Sequence, residues 1–389
     1  MPLILKKCAK RKKIEKQSSR FGLIALILLL FTSLIVTGCG GGGDDGGSGE
    51  GQEIGDFVRS DKVRNMSPDV QVDELQELVA GNSRFAFNLY HAVIEDNKNL
   101  FYSPLSISLA LAMTYAGART NTEQQMAETL HFTLSQGQLH PCFNKLCLIL
   151  ESRNEGDHVQ NSKGFKLNIA NAIWGSINYT FRADFIDVLG VNYDAGMQLL
   201  DFQGKPEESR LFINEWVSDQ TEKRIQHLLP QGSIDSYTRL VLTNAVYFNA
   251  SWRYPFGEED TRDTTFYLLD GSEVVVPMMS QEKRFGYACG GGYMAVELPY
   301  DGFEPLSMVI IVPDTGRFSE IESLLDLAKL AEIIEALSST NIQLSMPKFT
   351  FESDFTLAQT LSMMGMPDAF TWSVADFSGI DGTTGSIYS

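Results

Sequence analysis

The sequence is poor in the residues that enzymes and metal sites are built from. Its 389 residues hold only five histidines, His91, His131, His140, His158 and His227, each without a convincing partner nearby. There is no G-x-S-x-G turn, no H-E-x-x-H helix, no Walker loop and no EF-hand loop. These absences argue against an enzyme and against a bound cofactor or metal. The best metal grouping, His140, Cys142 and Cys147, has the wrong spacing for a zinc ligand set. Cysteine is sparse as well: Cys8, Cys39, Cys142, Cys147 and Cys289 form no framework of disulfides. Cys142 and Cys147 would project from opposite sides of a helix, so they read as buried or free thiols. The Gly290-Gly291-Gly292 run beside Cys289 reads as a turn, because no phosphate-binding helix start follows it. Positive charge is scarce beyond the first 20 residues. From residue 21 onward there are 23 basic against 48 acidic residues, a net of −25, while the whole chain stands at −18. Such a surface repels phosphate backbones, which makes nucleic acid an unsuitable partner.

The chain contains one long apolar run, Phe21 to Thr37, behind a head of eight basic residues. It falls short of the roughly 20 residues of a spanning helix. It leads into Val36-Thr37-Gly38-Cys39, which resembles a bacterial-type lipobox. Residues 1–38 are therefore expected to be a secretion leader and Cys39 a lipidated first residue of the mature chain; the alternative is an uncleaved signal anchor. Two or more acyl chains would anchor the protein stably, outside the cytoplasmic membrane, on the cell surface or periplasmic side. Residues 39–71 begin with glycine and scattered acid and are expected to be a flexible tether. Its mean reach would be about 30 Å. The folded domain is then expected at 72–389.

Within that domain the helical signals come first. Val72 to Asp96 carries an apolar stripe of helical period. Asn99 to Tyr102 reads as a short apolar strand. Ser103-Pro104 then starts a helix by the favoured pairing of a serine cap with proline in the first turn. That helix is apolar all round and should be buried. Thr120 and Glu123 have capping-box spacing, and Pro141 falls in the expected first turn of a fourth helix. A strand at 165–174, a helix at 182–189, a strand at 196–202 and a helix at 206–225 follow. Beyond residue 260 the chain reads as short strands, with helices at 318–337 and 355–364 and a strand at 341–351. Helices first and then mostly strands give an α+β class.

The stretch Arg239 to Phe256, RLVLTNAVYFNASWRYPF, is the most informative. From Leu240 to Ala250 both alternating sets of side chains are mostly apolar, so neither face is solvated. The expectation is a strand in the middle of a covered sheet, with Asn244 needing hydrogen-bond partners there.

Several of these stretches together resemble the serpin family. Asn99-Leu-Phe-Tyr-Ser-Pro-Leu-Ser-Ile-Ser108, Thr243-Asn-Ala-Val-Tyr-Phe-Asn-Ala-Ser-Trp-Arg-Tyr-Pro-Phe256, Pro277-Met-Met279, Glu297-Leu-Pro-Tyr300, Met346-Pro-Lys-Phe349 and Met366-Pro-Asp-Ala-Phe370 with Ala375-Asp-Phe-Ser-Gly-Ile380 occur in the family's order from about Leu75 to Ile380. One departure is Met346, where the family usually has leucine. The resemblance implies a serpin fold with three β-sheets and about nine helices. It also implies inhibition of a serine or cysteine protease: the protease cleaves an exposed loop, which inserts into the five-stranded sheet A. By position, Ser103, Ser106 and Asn244 would be shutter residues beneath that sheet. Trp252 would lie at the breach where the loop enters, and Lys348 would pair with a hinge glutamate. Asp381 to Ser389 does not continue into the family's hinge and loop. The reactive bond and the closing strands are therefore expected to be absent, and the chain as it stands inactive. The alternatives are a non-inhibitory serpin-fold module for binding or chaperoning, and an inert gene fragment.

Overall fold

The computed structural model describes residues 60–95, 98–154, 166–302, 306–350, 357–385 and 387, together with the backbone of 24–26 and 57–58; the side chains of 154, 244 and 246 are outside this set. Cys39 and most of the apolar leader therefore lie outside the described residues. Among the described residues, no helix is long and apolar enough to cross a membrane.

The chain folds as helices α1 (Val72–Val93), α2 (Pro104–Tyr115), α3 (Thr120–Leu130), α4 (Gln136–Glu151) and α5 (Ala183–Tyr193) around one large core. α2 forms where the sequence predicts it. Ser103 caps it, its hydroxyl accepting from the Ser106 amide, and Pro104 supplies the first turn. Leu109, Ala112 and Met113 are fully enclosed. At about 1.5–3 kcal/mol per large buried side chain, this packing sustains a helix with no amphipathic face.

Four strands make the first sheet, in the order β2-β4-β3-β5. These are β2 (Phe57–Val58), β3 (Lys166–Ser176), β4 (Met197–Leu200) and β5 (Leu240–Asn249). β3 runs parallel to β4 and antiparallel to β5, with Lys166 opposite Asn249 and Gly175 opposite Leu240. Helix α6 (Pro206–Gln220) packs on β5. The second sheet has the order β1-β9-β8-β7-β10, with β6 also on β7. Its strands are β1 (Ile24–Leu26), β6 (Thr261–Tyr267), β7 (Glu273–Gly290), β8 (Tyr293–Pro299), β9 (Ser307–Pro313) and β10 (Ser338–Pro347). Helices α7 (Phe318–Ser323) and α8 (Leu327–Glu335) back its β8–β9 region. α9 (Leu357–Met364) and α10 (Ser378–Asp381) return to the helical core, where Ile380 seats against Gly117. A Cβ on Gly117 would lie 2.1 Å from Ile380 Cγ1.

Several expectations need correction. β5 is covered on both faces, as read, but it is an edge strand among the described residues rather than a middle one. Among the described residues the strands fall into two sheets, and β7 runs unbroken for 18 residues through what reads as two segments. Asn99 to Tyr102 forms no strand, and Phe101 is 51% exposed. Thr120 is not a cap: it has φ 51°, and its hydroxyl donates to the Asp376 carboxylate at 2.9 Å. Pro141 sits inside α4 rather than in its first turn. The single helix expected at 318–337 is split, since Asp326 accepts from the Lys329 amide and starts α8 afresh. Residues 60–71, read as the end of the tether, lie docked on α4 and α5. The Gly290–Gly292 turn is as expected. All three glycines have positive φ, and a Cβ on Gly292 would collide with the Arg317 guanidinium.

Candidate functional site

β5 presents the most unusual surface in the molecule. Its inner edge is zipped to β3 along ten residue pairs, and its outer edge has no strand beside it among the described residues. Leu240, Leu242 and Phe248 pack on the helical core, and Val241 packs on the opposite side with Trp174, Phe212 and Trp216. Among the described residues this edge of the sheet therefore lies between two apolar layers. Such an edge is a template for another strand.

Side chains from β3 fix β5 in place. The Trp174 indole donates to the Thr243 hydroxyl at 3.0 Å, and both residues are buried. Trp174 in turn meets Trp216 edge-to-face at 5.5 Å and Phe212 at 5.9 Å, so α6 is locked over the sheet. Sequence reasoning missed this group. A tryptophan in the strand reading at 165–174 and a threonine within the apolar run at 240–250 were the available signal.

The residues expected at the shutter fall beneath this sheet. Ser103 and Ser106 stand together at the start of α2, with the Ser106 hydroxyl donating to that of Ser103 at 2.9 Å. α2 packs against β5. Asn244 lies mid-strand opposite Asn171, and its side chain is outside the described set.

The other two expected residues mark the far end of β5. Trp252 bridges to Tyr300 and stacks on its ring, with centroids 4.7 Å apart at 11°. Phe248 meets the same ring edge-on at 5.0 Å. Burial raises the Tyr300 hydroxyl to a pKa of about 12, so it stays neutral. The chain leaving β5 is stitched to the end of β8 by Arg253 N–H to Pro299 O and Asp301 N–H to Ser251 O. Lys348 follows β10. Its amide donates to Pro277 O at 2.8 Å, and its exposed ammonium makes no ion pair among the described residues. Trp252 packs into the same apolar cluster as Leu344 and Met346, so the exits of β5 and β10 share one small core.

No three or more ligating side chains gather for a metal among the described residues. His140 is buried, bonded through Nδ1 to the Tyr193 hydroxyl at 2.7 Å, and burial lowers its pKa to about 4. Cys142 and Cys147 are buried free thiols whose pKa values burial raises. Burial thus keeps these groups in their neutral forms within the core.

A family model described as Serpin (serine protease inhibitor) matches residues 80–388. The chain belongs to the serpin family. Among its relatives is an uncharacterised serpin-like protein of Thermococcus kodakarensis, 37% identical over 318 residues, covering 80% of this chain and 72% of that one. Mouse antithrombin-III is 38% identical over 323 residues, covering 80% and 68%. Human leukocyte elastase inhibitor is 37% identical over 324 residues, covering 79% and 82%. Among solved structures, emu ovalbumin superposes with a TM-score of 0.73 at 27% identity, over 79% of this chain and 82% of that one. The α+β serpin fold is therefore that of the chain, and protease inhibition is the activity for which its family is described.

Proposed function

We propose that this serpin inhibits serine proteases, and secondarily cysteine proteases, by taking up an extended segment along the outer edge of β5. The observation that carries the reading is that edge: β5 lies between two apolar layers at the end of its sheet among the described residues, with the Ser103–Ser106 pair on a helix packed against it and stacked aromatics at its exit. Strand addition there would extend the backbone ladder and bury apolar surface at once. In this reading Ser103, Ser106 and Asn244 let the sheet adjust, Trp252 borders the entrance, and Lys348 offers its ammonium to an acidic hinge residue. The chain itself performs no enzymatic chemistry in this scheme. The protease makes an acyl-enzyme with a reactive loop, and insertion of the loop distorts the protease before water can release it.

The test uses the protein in a form that carries a cleavable reactive loop. It should give a detergent-stable complex with a serine protease, and cleavage of that loop should raise the melting temperature strongly. A chain that is cut without complex or stabilisation would instead be a non-inhibitory binding module.

Attachment through lipid at Cys39 is part of the same proposal and rests on the basic head, the apolar run and the Val-Thr-Gly-Cys exit. It would hold the domain outside the cytoplasmic membrane. Cys39→Ala should abolish fatty-acid labelling, and labelling that persists would contradict it.

A further inference from the structure

The sheet that carries β5 has a second edge, and the two edges are treated differently. On the β4 side, β2 pairs antiparallel, with Phe57 opposite Gln198 and Val58 opposite Met197. The backbone after β2 is then strapped over the neighbouring helices. Ser60 donates to the Asp187 carboxylate on α5, and Lys62 pairs with the same carboxylate at 2.6 Å. Arg64 reaches α4, giving its Nε to Asn144 Oδ1 at 2.9 Å and its two terminal nitrogens to Glu151. Asn144, fully buried, returns its amide to the Asn65 carbonyl at 2.6 Å, while Asn65 N–H bonds to Val191 O.

This strap is held by directed polar contacts rather than by burial. Val63 is 86% exposed and Met66 69% exposed. A bidentate guanidinium–carboxylate fork fixes both position and direction, which a loosely packed apolar segment would not.

We infer that residues 57–58 and 60–67 are an edge guard. They close the β4 side of the sheet so that strand addition is confined to β5. A sheet with one acceptor edge can take one added strand. A sheet open at both edges can pair the β5 edge of one copy with the β4 edge of the next, a heterologous contact that propagates without closing. The inference deepens the reading of β5 as the acceptor, but its test reads β4 and requires neither protease nor reactive loop. Failure of the inhibitory reading would leave it standing.

The experiment compares the full chain with its Lys62→Ala/Arg64→Ala variant by hydrogen exchange and by light scattering. The expected result is exchange at Met197–Leu200 accelerated about tenfold or more, with buried β8 amides unchanged, and a shift from small species to linear assemblies. A synthetic peptide spanning residues 55–68, added in excess, should reverse both effects. Unchanged exchange in β4 overturns the inference. So does faster exchange with the same assembly state, since an open edge that recruits nothing needs no guard. Should the double variant lose protection throughout, Arg64→Lys, which keeps the charge and loses the fork, is read by the same two measurements with the same two outcomes.

Discussion

β5 and β9 read alike in sequence and end differently in the fold. Both are apolar on both faces, and each has one long antiparallel neighbour, β3 for β5 and β8 for β9. Every residue of β9 is buried, its side chains alternating between two cores: Met308, Ile310 and Val312 in one, Val309 and Ile311 in the other. Its outer edge is met by β1, which belongs to the stretch that cleavage before Cys39 would remove, with Ile24 opposite Ile311 and Leu26 opposite Val309. β5 has its two covering layers but no strand along its outer edge among the described residues, and Leu240, Leu242 and Phe248 are only half-buried. An apolar strand is thus told by its faces to be covered. Whether it is central depends on a neighbour that its own residues do not specify.

The comparison sharpens with paired truncations. Ile310→Ala in β9 should cost about 2–5 kcal/mol, the range for a buried aliphatic side chain. Leu242→Ala in β5 should cost less than half as much, because its side chain is already partly in water. Denaturant unfolding of the two variants checks this; equal costs would erase the distinction between the strands.

The helical layer beneath β5 gives the next largest effect, through pH. Burial lowers the pKa of His140 from 6.5 to about 4, so the unfolded chain binds its proton first as pH falls. Its contribution is intact above pH 6.5 and is lost progressively between there and pH 4, up to roughly 3 kcal/mol. Asp187, held below the usual carboxylate range by Lys62 and Ser60, shifts stability in the same direction at lower pH. His140→Gln should flatten the upper part of this pH dependence, measured as melting temperature against pH. An unchanged profile would mean that another group governs it.

Smaller effects test the two ends of the β5 site. Ser103→Leu should overpack the start of α2 and cost about 1–3 kcal/mol, with a rise in assembly through the opened sheet. Thr243→Val should strand the buried Trp174 N–H at a cost of about 1–3 kcal/mol, while leaving the strand's shape unchanged. Thermal melts with light scattering separate the two, since only the first should promote association.

What could be read from the sequence was local chemistry with few solutions. Ser103-Pro104 announced α2, the double-sided apolar run announced β5, and the triple glycine announced the β7–β8 turn. The ordered motifs also carried the family and hence the fold. The errors arose where a distant partner decides. Thr120 has a capping residue's spacing, yet Asp376, 256 residues away, takes its hydroxyl. Ser60 to Asn65 has the composition of a tether, and only Asn144, Glu151 and Asp187 turn it into a strap. A polar Asn144 on the apolar side of α4 was the one visible sign that something polar would dock there.

Hydrogen exchange along β5 reads directly whether it is an acceptor strand. In a chain carrying a reactive loop, the amides of Leu240–Asn249 should be compared before and after proteolytic cleavage of that loop. The account expects those pointing away from β3 to exchange readily at first and to become strongly protected after the cut, as an inserted strand takes up their hydrogen bonds. Exchange along β5 that is the same before and after cleavage would contradict it.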